Sequence, residues 1–593
     1  MGNNEKSVWL GGNDSYGYEY NPDGTLYFVE GKADKNGDIF REATAITNHT
    51  PLLKEYHKLD NGIEVTEELI FTVLRNYRRG EDTAITTKDI LGQMPNLKFG
   101  AACRIFTGRG TKSRYSEAMQ IQCENAPLST VYQHTGYAVI DGERVFLNGE
   151  NSVTKEGLTD KYCVAMKDTL DNYKFVTEKD DNRYKTLLVE LPKVAPKELV
   201  YCGLALSFLT PLNALLREVG IEPGFILYFV GKTGSYKSTI SKLFLNFFGV
   251  FDYNTPSPSN FKDTPNAVGM KMALTDSTLV LLDDRIPDAT SADVKRMEAI
   301  EQSVARGIGD RASRGRLNSD MNLRTTPRPV CNLIITAEQA YSNVGESGIA
   351  RSIAVELTPP TSETVQNIYH LQDNAVHLNM CMSEYIQYVL CNWDRLKAEL
   401  KPLFRSYLEN MKSEGHARLN TTVAHLQLGI YTMCKWLESK SVLSADESSL
   451  MQSKALEIFK QLAAAQNKRI TDEKPVKMFI EAVRELKDSK SICFKPVTAG
   501  SGIEVRDFVG YIDDDFYYFF PGRIYSAVRE YYARQGRVFP LNQTALFKQL
   551  ADDGVVQADR EQSTKTKRTG DGKRSRLLWV RVSALNNTEK EDE

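Results

Sequence analysis

One stretch limits more than any other how this chain can fold: FILYFVGKTGSYKSTISKLFLNFFG, residues 225–249. It begins with an unbroken apolar run, Phe225–Val230, which predicts a buried strand. Gly231 and Gly234 then allow a turn that directs backbone N–H groups toward an anion. A helix is predicted from Thr239 to Phe248, with a glycine placed to end it. Strand, glycine-containing loop and helix in this order predict an α/β sheet with a phosphate-binding loop.

The side chains of the loop fit the phosphates of a nucleotide. Lys237 would supply positive charge to the β- and γ-phosphates, and the Ser238 hydroxyl would ligate Mg²⁺. Tyr236 stands where the common pattern, G-x-x-x-x-G-K-[ST], has its second glycine, so the match alone is degenerate. The predicted ATP-binding residues are Gly231, Lys232, Thr233, Gly234, Ser235, Tyr236, Lys237, Ser238 and Thr239.

Two further apolar strands complete this prediction. The run Leu279–Leu282 ends in Asp283, which would hold the Mg²⁺ shell, and Asp284, which would orient or activate the attacking water. A third strand, VCNLIITAEQ, ends with Thr336, which is placed to sense the γ-phosphate. The complete order predicts an ATP site with Lys237, Asp283, Asp284 and Thr336 as catalytic residues. Ser238 and Asp283 are the predicted metal ligands.

The 593 residues are too many for one hydrophobic core, so several domains are expected. The first part is rich in Tyr, Val, Thr and Gly with many turn signals, which predicts short strands. LPKVAPKE, from Leu191, has the composition of a linker, and the polar end NNTEKEDE is predicted to be disordered. The predicted parts are 1–190, a β-rich region; 198–360, the ATPase core; 361–490, a helical region; 491–585, a compact C-terminal unit; and 586–593, a tail.

Charge and cysteine content restrict the possible binding partners and cellular compartment of the protein. The formal net charge is −3, so any binding to nucleic acid must come from local basic patches. Nine cysteines occur without a C-x-x-C pair, which argues for a reducing compartment. No run of eighteen apolar residues is present, so no membrane segment is expected. These features predict a cytoplasmic protein.

The order of motifs resembles the AAA+ ATPases, and among them the MCM-like replicative helicases. Their phosphate-binding loop also departs from the second glycine, since it has alanine before the lysine. The stretches NGIEVTEELIFTV, VYQHTGYAVIDG, NFKDTPNAVGMKM, LLDDRIPD and LFKQLADDGVVQADR resemble the helicase-like proteins of mobile genetic elements, such as the staphylococcal cassette chromosome helicases. The resemblance covers nearly the whole chain. One departure is Asp284, which is one methylene shorter than the glutamate usual in this family.

This resemblance implies a self-loading hexameric ring that hydrolyses ATP between subunits and unwinds DNA. The stretch ESGIARSIAVEL resembles the family segment whose arginine reaches the γ-phosphate of the neighbouring subunit, which indicates Arg351. The alternative for Arg351 is a structural ion pair. In the resembled family a hairpin before the third strand lines the central pore and binds DNA. Here that segment carries Arg311, Arg314, Arg316 and Arg324, for which a solvated basic loop is the alternative.

The C-terminal unit reads as a helix over Ile524–Arg534, a helix over Thr544–Ala551, and a basic hairpin, TKTKRTGDGKRSRLLWVRV. This order predicts a winged helix whose wing turns at residues 569–572. Its basic residues are dense enough to bind phosphates, although a merely soluble hairpin is the alternative. The predicted DNA contacts of the wing are Lys565, Lys567, Arg568, Lys573, Arg574 and Arg576.

The sequence therefore predicts a multidomain α/β protein with a β-rich N-terminal region, an AAA+ core with a parallel sheet, a helical region and a C-terminal winged helix. The predicted function is that of an ATP- and Mg²⁺-dependent DNA helicase of a mobile element, with DNA and further copies of the chain as partners. An initiator or helicase loader that melts origin DNA without processive unwinding shares every motif and stays open. A protein-remodelling machine is disfavoured because the pore-hairpin candidate is rich in arginine instead of aromatic residues.

Overall fold

A computed structural model describes residues 7–92, 94–179, 182–285, 290–310, 327–338, 348–411, 415–472, 474–498, 508–535, 537–559, 562–568 and 574–586, with the backbone alone at 316–317 and 323–324. The chain forms two compact units. Unit 1 is the chain up to Val176 together with Leu274–Asp276 and Gly315–Pro327. Unit 2 contains the rest and begins at Thr177, ahead of the boundary predicted at residue 190.

Unit 1 is rich in strands, as the turn signals predicted. Its described sheets have the orders β1-β2-β3-β4, β12-β11-β10-β9 and β13-β8-β5-β6-β7. The last of these is mixed, because β8 runs parallel to β5 whereas β5, β6 and β7 are antiparallel. The strands are β1 Val8–Gly12, β2 Tyr16–Tyr20, β3 Leu26–Ala33, β4 Ile39–Thr47, β5 Thr50–Asp60, β6 Val65–Arg75, β7 Arg78–Thr86, β8 Leu128–Tyr132, β9 Gly136–Ile140, β10 Glu143–Leu147, β11 Ser152–Thr154, β12 Gly157–Thr159 and β13 Cys163–Val164.

Two helices of unit 1, α1 Thr87–Ile90 and α2 Thr111–Gln120, contribute to a core formed with these strands. Tyr18, Phe71 and Tyr115 are fully buried in that core. Alternation along β6 explains why it can serve the core: Leu69, Phe71 and Val73 are buried, whereas the residues between them are partly exposed.

Unit 2 is built around a parallel sheet with the order β15-β16-β19-β14-β20. The central strands are apolar and buried on both faces, as expected where helices cover a parallel sheet. The strands are β14 Ile226–Val230, β15 Ser259–Asn260, β16 Leu279–Arg285, β19 Asn332–Ala337 and β20 Ser352–Glu356. The helices before and between them are α3 Arg183–Lys185, α4 Lys197–Leu209, α5 Asn213–Glu218, α6 Lys237–Leu245, α7 Pro265–Leu274 and α8 Ser291–Asp310.

Helix α8 packs on one face of this sheet through residues at helical spacing. Met297, Ile300 and Val304 are buried in one core with Tyr228 of β14 and Leu282 of β16. A buried polar group on the same helix also bonds to the sheet. Glu301 accepts a hydrogen bond from the Tyr228 hydroxyl at 2.9 Å and forms an ion pair with the Arg285 guanidinium at 2.9 Å. Burial raises the pKa of Glu301, although the charge of Arg285 acts in the opposite direction.

The predicted helical region is present. Long helices follow one another: α9 Ser362–Asp373, α10 Val376–Cys391, α11 Trp393–Glu409, α12 Ala417–Ser439, α13 Ala445–Asp472 and α14 Pro475–Asp488. The linker predicted from Leu191 is wrong, because Leu191 and Val194 are fully buried in the fold. Among the described residues, one stretch, Lys197–Glu218, is long and apolar enough to cross a membrane, and 89% of its most apolar window is buried inside the fold.

The C-terminal part carries a mixed sheet with the order β21-β22-β23-β25-β24. Its inner face packs on α14 and on two further helices, which agree within a few residues with those predicted. The antiparallel pair β24 and β25 forms the predicted basic hairpin. The elements are β21 Cys493–Pro496, β22 Phe508–Ile512, β23 Phe516–Phe519, α15 Pro521–Arg534, α16 Gln543–Asp552, β24 Lys565–Arg568, β25 Arg574–Arg581 and α17 Val582–Asn586.

Candidate nucleotide site

The loop after β14 has the tight geometry that its glycines predict. A Cβ atom at Gly231 would lie 2.6 Å from the Ser235 Oγ and 2.7 Å from the Leu357 carbonyl oxygen, so no larger residue fits. Gly234 has a φ of 85°, in the left-handed region that favours glycine. Helix α6 begins at Lys237, two residues before the predicted start. The first N–H groups of that helix are therefore directed at the loop, as an anion site requires.

Tyr236, at the position where the common pattern has glycine, has a backbone conformation that favours glycine. Its φ of 59° and ψ of 23° lie in the left-handed region. The hydroxyl lies 3.4 Å from the hydroxyl of Tyr369 on α9, and the two rings meet edge to face at 6.5 Å. Tyr236 therefore joins the loop to the helical region, a contact that no sequence pattern indicated.

The ammonium group of Lys237 lies over the loop. Its Nζ donates to the carbonyl oxygens of Gly231, at 2.5 Å, and Lys232, at 3.2 Å. Burial lowers the pKa of Lys237, and the negative charges of Glu338, Asp284 and Asp283 oppose that shift. Three carboxylates thus act on Lys237, and Glu338 exerts the largest of their effects.

Three hydroxyl groups converge on the carboxylate of Asp283. Ser238 donates to its Oδ1 at 2.7 Å, Ser257 donates to its Oδ2 at 2.9 Å, and Thr336 also donates to Oδ1. Ser238 and Asp283, predicted as the metal ligands, are therefore brought together. Ser257 was missed by the sequence analysis, because it lies in a loop before β15 where no local pattern marks it.

Asp284 has an unusual backbone. Strand β16 continues through Arg285 instead of ending at Leu282, and its pairing with β19 is irregular between those two residues. Asp284 lies within this irregularity with a φ of 68°. Its N–H donates to the Thr336 Oγ1 at 2.9 Å. Loss of hydration in the cleft, followed by the charge of Asp283, raises the pKa of Asp284.

The third strand supplies two polar residues to the site. Thr336, fully buried, contacts Asp283 through its hydroxyl proton and Asp284 through its hydroxyl oxygen. Glu338 follows one residue after the end of β19 and accepts a hydrogen bond from Thr233 of the loop. The sequence analysis singled out Thr336 and missed Glu338, although both belong to the stretch LIITAEQ. The order of the sheet explains their role, because β19 lies between β16 and β14.

Arg351 lies away from these acids within its own chain. Its guanidinium pairs with Asp310, the last residue of α8, and its side chain is 11% exposed. It also packs closely against Gly309, where an added Cβ would lie 2.2 Å from the Arg351 Cδ. An ion pair is therefore present, and a role of Arg351 at a neighbouring subunit stays a prediction.

The structure describes some of the predicted DNA-contacting residues but not all of them. Arg316 and Arg324 are paired opposite each other in the hairpin β17 Arg316–Leu317 and β18 Leu323–Arg324. Arg311, Arg314 and, in the wing, Lys573 and residues 569–572 lie outside the described residues.

The described basic residues of the wing divide into two groups. Lys565 and Lys567 lie over the ring of Trp579 at 5.5 and 5.2 Å, and Lys567 also donates to Asp513 at 3.2 Å. In contrast, Arg568, Arg574 and Arg576 are exposed. The arginines are thus the more available cations of the predicted set.

Comparison with known proteins agrees with this architecture. No protein-family profile and no curated protein matches the sequence. Among solved structures, the chain is similar to one described as SCCmec type IV Cch, an active helicase, with a TM-score of 0.58, 14% identity, and coverage of 96% of this chain and 98% of that one. The chain has the fold of that helicase. The resemblance read from the motifs is therefore confirmed at the level of the fold. A JCV helicase with a bound inhibitor matches 42% of this chain and 65% of its own at 13% identity and a TM-score of 0.23.

Proposed function

We propose that the chain is an ATP-dependent DNA helicase of a mobile genetic element, which acts as a ring of identical subunits. One observation carries this proposal: the hydroxyl of Ser238, at the start of α6, donates a hydrogen bond to the Asp283 carboxylate at 2.7 Å. The phosphate-binding loop and the acid pair are thus in direct contact. A hydroxyl and a carboxylate so placed beside a lysine-bearing loop serve nucleotide phosphates better than any other ligand class. The fold shared with a helicase agrees with this interpretation.

The residues present fit the magnesium ion that this chemistry requires. Mg²⁺ prefers oxygen ligands, and Ser238 and Asp283 supply a hydroxyl and a carboxylate in contact with each other. When bound, the ion would neutralise charge on the β- and γ-phosphates. Among the described residues there is no cluster of three His, Cys, Asp or Glu side chains that would hold a metal without the nucleotide.

The remaining groups of the site have distinct tasks. The Lys237 ammonium, now bonded to loop carbonyls, would turn to phosphate oxygens of bound ATP. Asp284 would accept the proton of the attacking water, and its raised pKa favours proton uptake. Thr336 holds both acids in register through its single hydroxyl. Arg351 would complete the site of the adjacent subunit, because its own chain keeps it beside α8.

DNA would be bound by two elements. The β17–β18 hairpin carries Arg316 and Arg324 at paired positions, and these arginines would contact DNA phosphates. The C-terminal hairpin, in a winged-helix arrangement, exposes Arg568, Arg574 and Arg576 for phosphate binding. Together these features favour translocation on DNA over the remodelling of protein substrates.

Strand displacement on a forked DNA substrate tests the proposal. The wild-type chain should unwind the fork with ATP and Mg²⁺, and Lys237→Ala should abolish both unwinding and ATP hydrolysis. Lys454→Ala, at an exposed lysine of α13, is the matched control and should behave as wild type. DNA-stimulated ATPase without strand displacement would favour the initiator or loader. Unchanged hydrolysis in Lys237→Ala would place the nucleotide elsewhere.

A further inference from the structure

The hairpin of β6 and β7 in unit 1 ends in a turn that departs from local rules. Arg75 pairs directly with Arg78, which leaves a two-residue turn of Asn76 and Tyr77. Both have positive φ values, 50° and 61°, as a type I′ turn requires. Asn-Gly is the favoured sequence for such a turn, because the second residue is left-handed. A tyrosine at that position makes the turn less favourable than glycine would.

The ring of Tyr77 is offered to solvent. Its side chain is 71% exposed, one of the largest values for an aromatic residue among the described parts of the chain. No aromatic contact or side-chain hydrogen bond of Tyr77 occurs within those parts. Packing inside the chain therefore does not account for an aromatic residue at this position.

The positive charges at the tip also do not stabilise the hairpin. Arg75 and Arg78 are directly opposite each other across the strands, and like charges so placed are destabilising. Arg79 follows immediately, and Arg78 and Arg79 are exposed. Among the described residues, no ion pair involves any of these three arginines. An exposed ring and uncompensated cations at one strained turn indicate selection for binding instead of stability.

The end of β6 that leads into the turn is held by a neighbouring loop. Gly24, with a φ of 92°, approaches the strand so closely that a Cβ there would lie 2.3 Å from the Leu74 carbonyl oxygen. The Thr50 hydroxyl donates to the Gly24 carbonyl at 2.8 Å and fixes that approach. The strands β6 and β7 are also part of a five-stranded sheet. The turn is thus braced at Leu74 and Arg75, whereas residues 76–79 are exposed.

We propose that the tip, residues 75–79, is a binding site for single-stranded DNA, in which Tyr77 stacks on an unpaired base and Arg78 and Arg79 contact phosphates. This inference rests on the proposed function. Stacking on an aromatic ring requires a free base face, which a duplex does not offer along its length. An acidic peptide would engage the arginines but would leave the strained tyrosine unexplained.

Binding of the full chain to a fluorescent oligothymidylate, measured by anisotropy without nucleotide, tests the role of the ring. Tyr77→Gly should weaken binding by about five- to a hundredfold, the range for removal of one base stack. The same change creates the favoured Asn-Gly turn, so the thermal unfolding midpoint should hold or rise and misfolding is not the cause. Tyr77→Phe, which keeps the ring, should bind as wild type. On an abasic strand of equal charge, wild type and Tyr77→Gly should bind equally.

The salt dependence tests the arginines. Arg78→Gln with Arg79→Gln should reduce the slope of log affinity against log salt by roughly 0.7 for each phosphate that the protein no longer neutralises. Lys35→Gln, at the exposed turn between β3 and β4, is the control for loss of a surface charge and should leave the slope unchanged.

Equal affinity of wild type and Tyr77→Gly for oligothymidylate would overturn the proposal, as would an equal loss on the abasic strand. Cross-linking of a 5-iodouracil strand gives a second readout, and absence of adducts on residues 75–79 would count against the site. Because no nucleotide is present, these results are independent of ATP hydrolysis. If the chain binds the strand through Tyr77 but has no ATPase activity, the DNA-binding site is supported and the proposed helicase function is contradicted.

Discussion

Two residues of the nucleotide site, Tyr236 and Asp284, have left-handed backbones although neither is glycine. Each such residue costs roughly 1–2 kcal/mol relative to an ordinary conformation. Both are fixed by contacts: Tyr236 through Tyr369, and Asp284 through the Thr336 hydroxyl. The strain lies where phosphates and acids must be positioned, which agrees with a functional origin.

Substitutions of Tyr236 distinguish the effect of its ring on ATP hydrolysis from the effect of its left-handed backbone on stability. Tyr236→Gly should leave the ATPase rate within about tenfold of wild type and should be more stable than Tyr236→Ala by roughly 1 kcal/mol, because only glycine relieves the left-handed strain. Chemical denaturation and steady-state ATPase assays measure both. Tyr369→Phe is the control that removes one hydroxyl only. A reduction larger than tenfold in Tyr236→Gly would show that the ring positions the nucleotide.

Asp284→Asn should trap bound ATP, since Asp283 still holds the metal while the acceptor of the water proton is removed. It should also change the dependence of stability on pH. The native pKa of Asp284 is raised, so its contribution to stability is present below the ordinary carboxyl pKa of about 4 and is lost as pH rises through the native value. The variant should therefore be more stable than wild type at neutral pH, and the difference should vanish near pH 4.

Denaturation at the two pH values and ATP retention on filters check this prediction. Failure of Asp284→Asn to bind ATP would mean that the roles of the two acids are exchanged.

Single residues also show which parts of the site can be predicted from the sequence and which cannot. Lys237, Asp283 and Thr336 come after apolar runs in the sequence, so a local pattern could predict that they belong to one nucleotide site. Ser257, Glu338 and Tyr369 reach the same place only through strand order and helix packing, which no local pattern encodes. The buried Leu191 was misread because the lysines and prolines around it have the composition of an exposed linker.

At the scale of elements, the C-terminal hairpin combines lysines that lie over aromatic rings with arginines that are exposed, of which Arg576 also donates to the Thr564 hydroxyl at 2.8 Å. The ammonium groups of Lys565 and Lys567 lie over aromatic rings, and Lys567 also bonds to Asp513. The exposed arginines lie on the same two strands. These residues are alike in the sequence pattern, because the side of the hairpin on which each one lies depends on the register of the two strands.

Replacing Arg568, Arg574 and Arg576 by glutamine should weaken binding to duplex DNA and reduce the salt slope by about 0.9 for each phosphate left without its cation. Lys565→Gln with Lys567→Gln removes two charges instead of three and should change the slope less for each charge removed, because those ammonium groups pair with Asp559 and Asp513. Anisotropy titrations at several salt concentrations measure both. Equal effects of the two sets for each charge removed would show that net charge alone governs binding by this hairpin.

At the scale of the whole molecule, the proposed ring requires that each ATP site be shared. The Arg351 guanidinium pairs with Asp310 in its own chain, and the phosphate loop begins in a different part of unit 2. An Arg351→Ala chain should therefore be inactive alone while keeping a usable loop. A Lys237→Ala chain should be inactive for the opposite reason.

Mixed rings of these two inactive variants should regain measurable ATPase activity, because some interfaces then combine an intact Lys237 with an intact Arg351. Co-expression of differently tagged chains and tandem purification ensure that the subunits are mixed, and the mass of the assembly verifies it. Full activity of Arg351→Ala alone would remove this residue from the mechanism. No rescue in verified mixed rings would count against a shared site.

The buried ion pair of Arg285 and Glu301 restricts which substitutions these two positions can accept during evolution. Arg285 directly follows the acid pair, and Glu301 is fully buried on α8. Loss of either partner alone would leave an uncompensated charge in the interior, at a cost of about 3–5 kcal/mol. That is a large share of the stability of a typical domain. Lineages descended from this sequence should therefore retain both residues or exchange both for apolar ones, so the two positions should covary in an alignment of its relatives.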